Sequence, residues 1–84
     1  MPTVHREDGF RVVIYPNDHL NDHLPCHVHI RKGEEEVIIC LGDKTEVPSI
    51  RQIYDMSNKN TVRALELVQM NQAKLIAAWE SIHG

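Results

Sequence analysis

His19, His23, His27 and His29 crowd one stretch of an 84-residue chain that holds six histidines in all. On a strand, alternate side chains share a face, so His27-Val28-His29 would present both imidazoles together. Imidazole moves protons near neutrality and ligates metal ions, so two chemistries are open. The first is a metal site on His27 and His29, completed by His19, His23, Cys26 or Glu36. The second is metal-free RNA cleavage, which needs a base near the 2′-hydroxyl, an acid at the leaving oxygen and cations on the phosphate. Arg11, Tyr15, His27, His29 and Arg31 are the candidates for that, with arginine able to grip phosphate through two parallel hydrogen bonds. A third outcome needs no chemistry: the same polar face is covered by a protein partner.

These residues need a sheet to align them. Phe10-Arg11-Val12-Val13-Ile14-Tyr15 follows Gly9 and reads as a strand stopped by Pro16-Asn17-Asp18. Asn17-Asp18-His19-Leu20 is then repeated as Asn21-Asp22-His23-Leu24. Two copies make no repeat architecture, and a tolerant loop lengthened by local duplication accounts for them. Cys26 to Lys32 alternates polar and apolar, the period of a half-buried strand. Gly33-Glu34-Glu35 reads as a solvated turn, and Glu36 to Leu41 as the strand that returns from it. Residues 45–56 offer a short edge strand at most. The remainder is helical from a cap at Ser57 or Asn58, with Ala64, Leu65, Val68, Leu75, Ile76, Trp79 and Ile82 on one stripe. Trp79 is expected to anchor helix to sheet.

The expectation is therefore a single α+β domain over residues 1–84. It has a three- to four-stranded antiparallel sheet at about 9–54 and one long C-terminal helix, at about 57–82, packed on one face. Val12, Ile14, Val28, Ile30, Val37, Ile39 and Leu41, with Phe10, would form the core. Arg11, Tyr15, His27, His29 and Arg31 would lie on the opposite face. A straight helix of about 25 residues is about 37 Å long, so part of it should overhang the sheet.

Bulk properties narrow the partners. A net charge of −3 and a pI near 6.0 argue against unspecific nucleic-acid binding, while leaving room for a local basic patch that meets RNA. Two cysteines are too few for a disulfide scaffold, and no apolar run reaches the length of a membrane span. A cytoplasmic protein with reduced thiols and no membrane contact is expected. No glycine-rich phosphate loop or nucleophile motif occurs, and no cofactor is indicated. A core this small gains from a protein partner or from homodimerisation.

Asp8-Gly9-Phe10-Arg11-Val12-Val13-Ile14-Tyr15, Asn17-Asp18-His19, Pro25-Cys26-His27-Val28-His29 and the ending Trp79-Glu80-Ser81-Ile82-His83-Gly84 together resemble a small bacterial family. It is known as domain of unknown function forty-one-sixty. The resemblance covers nearly the whole chain. It implies a member of a two-gene, toxin–antitoxin-like module, with a protein partner encoded nearby. It carries over no catalytic residues. The second Asn-Asp-His-Leu copy and Cys26 depart from the family pattern. The sequence thus favours an interaction component of such a module. A metal-independent ribonuclease-like toxin using His27, His29 and Arg31, and a small metal-binding protein, are the alternatives.

Overall fold

The computed structural model describes residues 3–15, 26–42 and 46–83. The duplicated Asn-Asp-His-Leu segment, with His19 and His23, lies outside the described residues. Five strands occur in chain order: β1 (Thr3–Glu7), β2 (Phe10–Val13), β3 (His27–Lys32), β4 (Glu35–Cys40) and β5 (Ser49–Tyr54). They form one antiparallel sheet in the spatial order β1-β2-β3-β4-β5. The α+β class is as expected, but the sheet has five strands where three to four were predicted.

The extra strand comes from a turn. Glu7 pairs with Phe10 across a two-residue loop, Asp8-Gly9, whose φ angles are 53° and 83°. Two consecutive positive φ values define the turn whose twist matches a right-handed hairpin, and Asp-Gly is among its preferred sequences. The charged start of the chain is therefore the outer half of a hairpin. Gly33, at φ 61°, opens the second tight turn, and Lys32 faces Glu35 across it.

One sheet face builds the core. Phe10, Val12, Ile14, Val28, Ile30, Val37, Ile39 and Leu41 are buried together with Met56, Ala64, Leu67, Val68 and Leu75. Each of the eight sheet residues was expected there from alternation. The helical region is two helices, α1 (Asn58–Met70) and α2 (Gln72–His83), rather than one. The break is at Asn71, with φ −118° and ψ 18°. Its side-chain amide donates to the Leu67 carbonyl at 2.8 Å, and its own carbonyl accepts from the Leu75 N–H at 2.9 Å. Asparagine can satisfy backbone groups in this way and so ends one helix and starts the next. The break removes the expected overhang: the molecule's longest dimension is 32 Å. It also re-aims the buried stripe, so Leu67 joins the core while Trp79 is only partly buried. Gln72, a polar residue within that stripe, donates to the carbonyls of Leu41 (2.7 Å) and Glu46 (3.1 Å).

The acidic turn is not simply solvated. Glu35 lies on the helix side of β4, where its carboxylate accepts from the Ser57 N–H at 2.9 Å and the Asn60 amide at 3.1 Å. Ser57 in turn caps α1 by accepting from the Asn60 N–H. At the other edge, Lys74 of α2 donates to His5 Nδ1 at 2.8 Å, and His5 Nε2 donates to Glu7 at 3.0 Å. Arg63 pairs with Asp8, tying the first hairpin turn to α1.

Candidate functional site

The sheet face opposite the apolar core carries the polar chemistry. Strand pairing sets Arg6 opposite Arg11, Arg11 opposite Arg31, and Arg31 opposite Glu36. Directly paired residues project to the same face. Three arginines on three neighbouring strands therefore form a single row that ends at a carboxylate. Their spacing is that of the strands, about 4.8 Å per step.

Next to the row, His29 Nδ1 donates to Glu36 Oε2 at 3.1 Å. The other oxygen, Oε1, lies 3.4 Å from Arg31 Nε. That is ion-pair distance without an aligned hydrogen bond, and among the described residues Arg31 Nε has no hydrogen-bond partner. Glu36 thus faces one guanidinium and one imidazole, and as the acceptor it orients the ring with a proton on Nδ1. The Tyr15 ring meets His29 edge-on, with centroids 4.5 Å apart.

Five residues were expected on this face: Arg11, Tyr15, His27, His29 and Arg31. Arg11, Tyr15, His29 and Arg31 come together there at half-buried positions. His27 lies 5.4 Å from His29 between ring centroids, but it is only 2% exposed and packs at 5.2 Å against Trp79. It is a packed residue under α2, not a solvent-facing one. Two participants were missed. The sequence offers Glu36 as a spare metal ligand, as part of the acidic run Glu34-Glu35-Glu36 and as the first residue of a strand; its place just after a turn, diagonal to His29, is the signal that pairs the two. Arg6 was missed because the Asp8-Gly9 turn, which brings β1 beside β2, went unread.

The metal candidates fare differently. Among the described residues, no three His, Cys, Asp or Glu side chains converge as a metal-binding group. Cys26 has its thiol pushed up from 9.0 to about 12, chiefly by burial, with the negative charge of Glu80 and the neighbouring Cys40 adding to it. A thiol so held is protonated at neutral pH and is neither a nucleophile nor a ready soft ligand. Cys26 and Cys40 instead line an open pocket of about 660 Å³ with Ile76, Trp79 and Glu80, at the end of the sheet where α2 crosses it.

A family model described as Domain of unknown function (DUF4160) matches residues 9–80. The chain belongs to this family. The match spans β2 to β5, α1 and most of α2, and so takes in Arg11, His29, Arg31 and Glu36. Arg6, on β1, lies outside the matched segment. No curated protein and no solved structure matches the chain. Among the described residues, no helix is long and apolar enough to cross a membrane.

Proposed function

We propose that this chain is the RNA-acting member of a two-protein, toxin–antitoxin-like bacterial module, cutting phosphodiesters without a metal. The observation that carries this is the His29–Glu36 hydrogen bond beside the Arg31 guanidinium. A carboxylate on Nδ1 orients the ring and leaves Nε2 as the proton-accepting nitrogen. In the proposed reaction, Nε2 takes the 2′-hydroxyl proton and O2′ forms a bond to phosphorus. Arg31 and Arg11 balance the charge on the phosphoryl oxygens. The P–O5′ bond breaks, and the leaving oxygen takes a proton from Tyr15. The products are a 2′,3′-cyclic phosphate and a 5′-hydroxyl. Residue types and the gene-pair organisation implied by the family resemblance support the same reading.

Incubating the protein with a single-stranded RNA oligonucleotide tests it. The cyclic phosphate product should form, EDTA should leave the rate unchanged, and His29→Gln should lower it by about 100-fold or more, the usual contribution of a general base. An equal rate from the Gln variant would remove His29 from the chemistry.

One observation favours a second reading, a pure interaction module. All six residues of β5 are exposed, with Ile50 at 40% and Ile53 and Tyr54 at 45%. An apolar edge strand of this kind is open to strand addition by a partner. That reading prevails if no RNA is cut and Ile53→Lys abolishes co-purification with the product of the adjacent gene.

A further inference from the structure

Arg6, Arg11 and Arg31 form a continuous cationic row on a protein whose net charge is −3. Such a row is costly by itself, because like charges directly opposite on neighbouring strands repel. Among the described residues, neither Arg6 nor Arg11 has an ion-pair partner, and Arg31 meets Glu36 without an aligned hydrogen bond. Folding therefore gains nothing evident from the row. A polyanion would relieve the repulsion and use the donors.

The dimensions select the polyanion. Two strand spacings make the row about 10 Å long. That is the reach of two or three consecutive phosphates of an extended single strand. The row runs across the strands and ends beside His29 and Glu36, and the Tyr15 ring stands against His29, where a base can stack. We infer that Arg6, Arg11 and Arg31 bind the backbone of a single-stranded RNA laid across β1, β2 and β3, feeding it toward the His29–Glu36 pair. Arg6 is the new participant, a binding residue remote from the reacting atoms. The inference rests on the RNA-acting reading for its direction but not for its binding chemistry.

The test measures binding apart from cleavage. A fluorescein-labelled, single-stranded 2′-O-methyl oligonucleotide cannot be cut, and its anisotropy reports affinity as salt is varied. Three phosphate contacts should give a slope of log Kobs against log salt near −2, at about 0.7 per contact. Arg6→Gln should bring the slope to about −1.4 and weaken binding several-fold, at about 0.7 per lost contact, while Lys59→Gln, at an exposed lysine on α1, leaves both unchanged. Arg6→Gln should also melt no lower than the wild type, since it removes a like-charge pair; this shows that lost binding is not lost folding. An unchanged slope in Arg6→Gln overturns the row as a binding site. So does displacement of the oligonucleotide by polyglutamate as readily as by oligouridylate at equal charge, which would make it an acidic-protein site. Displacement by millimolar inorganic phosphate alone would do the same, by reducing the row to a single-anion site. Intact, Arg6-dependent binding without cleavage of the matching ribo-oligonucleotide would sink the catalytic reading and leave this one standing.

Discussion

His27 and His29 stand two residues apart on one strand and have different environments. His29 is half-buried, hydrogen-bonded to a carboxylate and flanked by Tyr15 and Arg31. His27 is buried against Trp79. Both were expected on the face opposite the core, but only His29 keeps an exposed part, so alanine at the two positions should differ in cost. His27→Ala should cost about 2–4 kcal/mol, the range for emptying a well-packed site of that size, and urea denaturation would measure it. A loss below about 0.5 kcal/mol would mean that Trp79 does not depend on the contact. Cys26 gives a pH signature at the same scale. Its thiol ionises at about 12 in the folded chain against 9.0 for an ordinary thiol. Between those values the unfolded state has released the proton while the folded state retains it. The native state binds more protons, and stability must fall as pH rises through that window. Alkylation of Cys26 by iodoacetamide should likewise keep accelerating well above pH 9. A plateau near pH 9 would show that the thiol is solvated.

Arg6 is useful only because of its element. Without the β1–β2 hairpin it would be one more charge in a polar segment. The hairpin depends on Gly9 at φ 83°. A Cβ there would meet the Lys32 side chain at 3.5 Å, an ordinary contact. The penalty for Gly9→Ala is therefore conformational rather than steric. It should be about 1–2 kcal/mol, the cost of left-handed backbone for a residue with a side chain. The same variant should weaken oligonucleotide binding as Arg6→Gln does, because β1 would lose its register with β2. Normal stability would show that the turn relaxes to another type. The Asn71 break acts in the same way on the helical side. One straight helix could not both bury Val68 and Leu75 and stay within the footprint of the sheet; two short ones can.

At the scale of the molecule, charge is segregated rather than absent. The two faces of the sheet differ in kind: one holds the apolar core beneath the helices, the other holds the arginine row, with Trp79 of α2 reaching His27 at its end. An acidic total and a basic stripe coexist because acidic side chains are spent elsewhere. Glu35 docks the start of α1, Glu7 holds His5, Asp8 ties the first hairpin to α1, and Glu36 terminates the row. A net charge near −3 thus guards against promiscuous nucleic-acid binding while permitting a local site. The exposed β5 edge, far from β1 in the strand order, is left for a protein neighbour.

Alternation and β-branching in 10–15, 27–32 and 36–41 determined three strands and their core-facing residues, because a period of two leaves little freedom once one face must be buried. The same alternation put Arg11, Tyr15, His29 and Arg31 on a common face. Asp8-Gly9 was legible as a hairpin turn, but only against a strand on its charged side, and that side has no apolar alternation to reveal one. What tertiary structure decided was proximity between segments. Strand order set Arg6 beside Arg11, the diagonal across a tight turn joined His29 to Glu36, and the break at Asn71 carried Trp79 over His27. None of these follows from periodicity, which fixes the face a side chain occupies but not which strand lies beside it.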